Sequence, residues 1–524
     1  MPESRRAFLW RARVLAAPLL MSRGLGAEAS AQFSVRDHGA RGDGRAKDTR
    51  AIQAAIDAAA PSGGTVYFPP GDYVSGTVRL RSHVTLRLGA GATVLASPDD
   101  ADFDPPEELG YKAFADPETS DFTFALFQGR RVTNVRMLGP GRIDGNRTSR
   151  GGPKPIALKE CRSIQILDLT IANAPNYNIS LLGCDGVDIL GVTILNGYSD
   201  GIDPDCCRNV RIARCRIESR DDAVVLKTSF ALGERRSTEN VTVSDCHLVT
   251  MHNALKVGTE STGDFKRIVM RDCTIVGQRH AWKGELTSGI SLQAVDGGTL
   301  EGVVVSNIRM TNVRAPIFVR LGRRGRAQAV RTAGALRDVS ISNVVATGAS
   351  GASAITGIPR QPVERISLRN IRVTARGGGK AELVSLDMPE MERMYADATM
   401  FGDLPAYGLY CRHVVGLTVD GSDLRVVQPD ARPAVVLDDV RQVDVRAVRA
   451  MPPAGGGPTL WLHSVQNGLV HDFRPHAPDR AVVRVSGGAT SKVRLVGAAA
   501  ARLDSHTVLV DGDVLPTALQ VETR

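Results

Sequence analysis

Aromatic residues make up only 5% of this 524-residue chain, although 43% of it is hydrophobic. The apolar content rests instead on Val, Ile, Leu and Ala, in short bursts separated by Gly, Asn and Asp. That distribution argues for many short strands and turns and against a helical bundle. Beyond the first thirty or so residues, no stretch reaches the roughly 18 uninterrupted apolar residues that a membrane span needs, so no membrane insertion is expected. Eight cysteines are present, none in a Cys-x-x-Cys spacing, which argues against a zinc site. No basic run is interleaved with aromatics. The net charge of +9 comes from scattered Arg, with small clusters such as Arg323, Arg324 and Arg326. That pattern does not suit nucleic acid; it leaves a solvated surface, or contact with an acidic polymer, as readings of the charge.

The N-terminus carries its own signal. Ser4-Arg5-Arg6-Ala7-Phe8-Leu9 has the twin-arginine pattern, a moderately apolar stretch runs from Val14 to Met21, and Ala29-Ser30-Ala31 offers a small-x-small cleavage site. Residues 1–31 are therefore expected to be an export signal, and the mature chain, from about Gln32, to be periplasmic or secreted.

Self-similarity sets the fold. Cys161-Arg162-Ser163-Ile164, Cys184-Asp185-Gly186-Val187 and Cys207-Arg208-Asn209-Val210 recur 23 residues apart, each opening a short alternating strand. Looser copies begin at Asn240-Val241, Arg267-Ile268, Gly302-Val303, Asp338-Val339 and Arg365-Ile366. A unit this short cannot bury its own apolar face, so units must stack. The expected fold is all-β, a right-handed parallel β-helix, with the repeat-equivalent cysteines stacked as core thiols. Asp48–Ala60 has helical spacing and is expected to cap the open end of the stack. The β-helix is expected over residues 32–450, with further rungs or a small β cap over 451–524. A long insertion, Met388 to Tyr410, carries several aromatics and is expected on the binding face.

Three acidic residues fall about one rung apart: Asp200 in Tyr198-Ser199-Asp200-Gly201, and Asp221-Asp222 beginning 21 residues later. Successive rungs lie about 4.8 Å apart, so these carboxylates can flank one cleft. Both Asp221 and Asp222 reach it only if the strand bends or ends there, because neighbours on a regular strand face opposite ways. Crowded carboxylates raise at least one pKa, which keeps an acid protonated near neutrality. An acid opposite a base about 6.5–9.5 Å away is the arrangement of an inverting glycosidase.

Here the chain resembles the polygalacturonases of glycoside hydrolase family 28, over roughly residues 33–320. Their Asn-Thr-Asp-Gly and Gly-x-Asp-Asp motifs correspond to Tyr198–Gly201 and Ser219–Asp222, and His252 stands where the family histidine falls. The resemblance implies that Asp221 is the general acid, that Asp200 and Asp222 hold the attacking water, and that His252 tunes the acid or contacts sugar. Lys227, Lys256, Arg220 and Tyr177 become candidate substrate contacts, and Asp203 and Asp205 turn supports. The expected partner is a pectic polysaccharide or oligosaccharide, with no metal, no organic cofactor, no nucleic acid, and a monomeric enzyme. The chain departs from the family where Arg-Ile-Lys should bind the galacturonate carboxylate: it reads Ser291-Leu292-Gln293. Neutral groups cannot replace that charge-assisted contact, so unbranched polygalacturonan is expected to be poor and a rhamnose-containing fragment better. Two other functions stay open: a β-helical uronate lyase or epimerase using a Lys or Arg base, often with calcium, and a β-helix that binds glycans without turning them over.

Overall fold

The computed structural model describes residues 31–278, 286–477, 482–497 and 507–522. The expected export signal lies, except for Ala31, outside the described residues.

One continuous parallel sheet winds through the chain as a β-helix. The repeats inferred from sequence stack in register. Ile164, Val187, Val210, Val241, Ile268, Val303, Val339 and Ile366 pair successively, each with the next. All are buried in the core. The residue before each of them has a left-handed backbone: φ is +55° at Ser163, +73° at Gly186, +56° at Asn209, +55° at Asn240 and +55° at Arg267. This is why Asn, Asp and Gly recur there: they reach that region at least cost. Side chains of that column also bond along the axis, Asn240 Nδ2 donating to Asn209 Oδ1 at 3.0 Å.

All eight cysteines are free and buried, as the ladder reading expects. The backbone N–H of Cys184 donates to the Cys207 sulfur at 3.4 Å. The helix Thr49–Ala59 turns Ile52, Ala55, Ile56 and Ala59 onto the first rungs, covering apolar surface that stacking leaves open there. Parallel pairing continues through Leu460–His463, Val483–Ser486 and Val508–Val510. No helix among the described residues is long and apolar enough to cross a membrane.

Residues 376–408 leave the helix between the strands Val363–Ala375 and Leu409–Asp420. The segment folds back on the outer face of one sheet, packing Met388, Ala396, Leu404 and Ala406 against Val295, Phe318, Ala354 and Tyr410. Burying side chains such as Phe318 and Met388 contributes about 1.5–3 kcal/mol each, enough to hold an irregular segment in place.

Candidate active site

The site occupies the corners that precede three stacked strands, Ile202–Asp205, Val224–Thr228 and Asn253–Ser261. Register pairs Ile202 with Val224 and Val224 with Leu255. Asp200, Asp222 and Asn253, each two residues before those positions, therefore form one column. The backbone bridges it: Gly201 N–H donates to the Asp222 carbonyl at 2.9 Å, and Ala223 N–H to that of Asn253 at 2.8 Å. Asp221 and Asp222 lie between strands, in the corner after Arg216–Ser219. The interruption required for both to reach one cleft is therefore present. Hydroxyls of Ser219 and Thr250 hold the corner by donating to the Asp221 carbonyl.

His252 joins the two carboxylates. Its Nδ1 stands 3.0 Å from Asp221 Oδ1 and 2.9 Å from Asp222 Oδ1. Asp222 is further held by Asn253 N at 3.1 Å, Asn253 Nδ2 at 2.7 Å and Lys256 Nζ at 2.7 Å. Asp200 accepts from the Asp222 N–H at 3.1 Å and from Lys227 Nζ at 3.1 Å. Lys227 Nζ also meets Asp203 at 2.5 Å and sits 4.0 Å from the centre of the Tyr177 ring.

These environments set different protonation tendencies. Burial, reinforced by Asp203, pushes Asp200 well above the usual carboxylate range, against the pull of Lys227. Burial also acts on Asp221, but the His252 hydrogen bond and the Arg150 charge outweigh it and hold that carboxyl low. Asp222 is low as well: burial is overcome by Lys256 and His252. His252 is disfavoured as a cation by burial, yet Asp222, Asp221 and Asp397 lift it well above its ordinary value. One carboxyl of the cluster is raised, as crowding requires, but it is Asp200 and not the expected acid, Asp221.

Of the expected substrate contacts, Lys227 lies buried against Asp200, and Tyr177, also buried, packs on Lys227. Lys256 is also buried and paired with Asp222. Arg220 is 4.1 Å from the Tyr198 ring centre and donates to Asn196, away from the carboxylates. Asp205 caps the next loop by accepting from Ser229 N at 2.8 Å. Ser291 and Gln293 are fully buried and bond each other at 2.7 Å.

Sequence reasoning missed three contributors, Arg150, Glu118 and Asp397. Arg150, on a loop without periodicity, reaches Asp221 Oδ2 at 2.5 Å and is held from behind by Glu118. Tyr395 and Asp397 come from the insertion: Lys256 Nζ donates to the Tyr395 hydroxyl at 3.2 Å, and Asp397 Oδ2 lies 3.0 Å from His252 Nε2. The insertion was expected to supply aromatics here. Tyr395 does so, whereas Tyr407 and Tyr410 are buried packing residues.

Asp221, Asp222 and His252 place one ligand atom each within 4.8 Å of one another, a spacing a cation could share. Their chemistry fits one poorly. Lys256 and Arg150 already occupy an oxygen of each carboxylate, and an imidazole raised toward its protonated form has no lone pair to give.

Three carboxylates and a histidine gathered in the groove of a β-helix suit acid–base work on a glycosidic bond. The family model "Glycosyl hydrolases family 28" matches residues 107–389, and "Rhamnogalacturonase A/epimerase, pectate lyase-like" matches 32–110. The chain belongs to glycosyl hydrolase family 28, and is therefore a glycosidase. It is 26% identical to a probable polygalacturonase of Vitis vinifera over 70% of its own length and 78% of that protein. It is 26% identical to a polygalacturonase of Ralstonia solanacearum over 52% of its length and 61% of that protein. In fold it matches an exopolygalacturonase of Thermotoga maritima with a TM-score of 0.56 at 20% identity, covering 66% of this chain and 87% of that one. The Erwinia carotovora polygalacturonase superposes with a TM-score of 0.51 at 19% identity, over 67% of this chain and 96% of that one.

Proposed function

We propose that the chain hydrolyses glycosidic bonds of a pectic polysaccharide or its oligosaccharides, with inversion at the anomeric carbon. The observation that carries this reading is the column Asp200–Asp222 with Asp221 beside it on the shared His252. Asp221 is the most solvent-open of the three carboxylates, with 15% of its side chain exposed against 6% for Asp200 and 4% for Asp222. It therefore meets the glycosidic oxygen and donates the proton. Asp222, held ionised by Lys256 and His252, takes a proton from the attacking water, and Asp200 orients that water from the next rung.

The substrate carries a uronate. A neutral sugar was expected because Ser291 and Gln293 replace a cationic pair, but those two residues are buried on each other and receive nothing. Positive charge enters the groove elsewhere, on Arg150, with 42% of its side chain exposed, and Arg326, with 30%. The relatives named polygalacturonases support the same substrate class. The insertion over His252 and Lys256 walls the groove on one side, which favours cutting from a chain end. The twin-arginine pattern near the N-terminus supports export before the enzyme meets its polymer.

The test is reducing-sugar release from polygalacturonan, rhamnogalacturonan and a neutral galactan, with absorbance of unsaturated products followed alongside. Reducing ends without ultraviolet absorbance, on the uronate polymers only, are expected. Absorbing products would mean elimination, and release from none of them would remove the reading.

A further inference from the structure

Asp221 is poorly prepared for the work assigned to it. A general acid must hold a proton when the glycosidic bond breaks. Yet Asp221 is clamped between two cations, Arg150 Nη1 at 2.5 Å from one oxygen and His252 Nδ1 at 3.0 Å from the other. Asp222 Oδ1 shares that same Nδ1 at 2.9 Å, and Asp397 faces the other ring nitrogen. Lys256 is spent on Asp222, and Lys227 on Asp200 and Asp203. Among the described residues, Arg150 is the one cation touching Asp200, Asp221 or Asp222 whose side chain is substantially exposed, and it is well anchored from behind. Its Nε donates to Glu118 Oε1 at 2.9 Å and its Nη2 to the other Glu118 oxygen. Glu118 sits on the short helix Pro117–Ser120, whose Thr119 hydroxyl meets the Tyr177 hydroxyl at 3.3 Å, beside Lys227. The guanidinium is thus fixed by one edge, and its Nη1 has a single acidic partner. A carboxylate from outside can take that partner's place without moving Arg150 far.

We propose that Arg150 is the receptor for the substrate's carboxylate, and that passing Arg150 from Asp221 to the substrate is what lets Asp221 take up the proton it then donates. The inference rests on the uronate reading above. On binding, the uronate accepts from Arg150 Nη1, and Asp221 loses a cation while gaining an anionic neighbour. Both changes favour its protonated form, and one proton enters from solvent. In the chemical step that proton goes to the leaving oxygen as the glycosidic C–O bond breaks. Water forms the new C–O bond and gives its proton to Asp222. A neutral ligand leaves the clamp closed, so the exchange also selects for substrate.

The experiment compares trigalacturonic acid with its fully methyl-esterified form, using the full-length enzyme and Arg150→Gln, across pH. A charge-assisted hydrogen bond is worth about 1.5–3 kcal/mol, or roughly 10- to 150-fold. The wild type should favour the acid over the ester by that factor in kcat/KM. Its kcat, which reports the bound state, should hold to higher pH than its kcat/KM, which reports the free enzyme. In Arg150→Gln, kcat/KM on the acid should fall by a similar factor and cleavage of the ester should rise. The alkaline limb of kcat/KM should move up to meet that of kcat. Arg150→Lys keeps the charge and loses the fork, so acid preference should shrink while the limb stays near its wild-type position. Equal loss on both substrates with unmoved limbs, in variants that retain the wild-type melting temperature, would overturn the proposal and leave Arg150 a scaffold residue. A wild type that cleaves neither compound would overturn the uronate reading itself.

Discussion

Replacing Lys256 by Met deletes one partner of a pair in which the lysine and aspartate side chains are 3% and 4% exposed, 2.7 Å apart. Removing one member of a buried ion pair costs about 3–5 kcal/mol, because the other charge is stranded. Asp222 keeps three donors, from Asn253 N, Asn253 Nδ2 and His252 Nδ1, which places the expected loss near the lower end, about 3 kcal/mol. Adding Asp222→Asn removes the stranded charge, so the double variant should be about 2 kcal/mol more stable than the summed single effects predict. Urea unfolding followed by circular dichroism gives all four stabilities. Repeating it with pH checks the electrostatic origin. The Asp222 carboxyl is held low in the folded protein. Its contribution is therefore present above the unfolded carboxylate pKa, near 4, and is lost as pH falls through and below that value. Without Lys256 that acid-side loss should be shallower. A coupling below about 0.5 kcal/mol would refute the reasoning and return Lys256 to the cleft as a substrate contact.

Other outcomes follow from the same geometry. Asp221→Asn and Asp200→Asn should each lower kcat by about 10²–10⁴-fold with the β-sheet spectrum retained, whereas Asp205→Asn, which touches the Ser229 loop, should lower stability more than turnover. Proton NMR of the first product should show the inverted anomer; retention would contradict a water-activating Asp222. Chromatography of polygalacturonan digests should show mono- or disaccharide early, and a ladder of oligomers would mean that the insertion does not close the groove. Dialysis against a chelator should leave activity intact, while loss restored by calcium would show that a cation does use the Asp221, Asp222 and His252 cluster.

Much of this molecule was legible as text because a solenoid writes its third dimension along its first. The ladder Ile164–Val187–Val210 is a sequence recurrence and a spatial column at once. The left-handed residue before each strand left a visible trace of Asn, Asp and Gly. Asp200, Asp221 and Asp222 could be grouped because they sit about one rung apart, and His252 joined them through the family resemblance. Arg150, Glu118 and Asp397 could not be grouped with them, and Tyr395 could be assigned only to an insertion over the cleft. They reach the site from loops without period, across separations such as 71 residues between Arg150 and Asp221 and 139 between Lys256 and Tyr395. A lysine in a family-like string reads as a substrate contact in the sequence, whereas in the fold Lys227 is surrounded by Asp200, Asp203 and Tyr177.

The insertion between Ala375 and Leu409 has a bearing on how such enzymes diversify. Both of its ends return to adjacent rungs, so the coil beneath keeps its register whatever lies between them. Two residues, Tyr395 and Asp397, bring it against Lys256 and His252, which hold the carboxylates. Lengthening, trimming or exchanging this single connection would alter which end of a polymer gains entry, with the carboxylates left where the stack puts them. Selection for a new diet can then act on one loop, and the inheritance of the catalytic apparatus need not be disturbed.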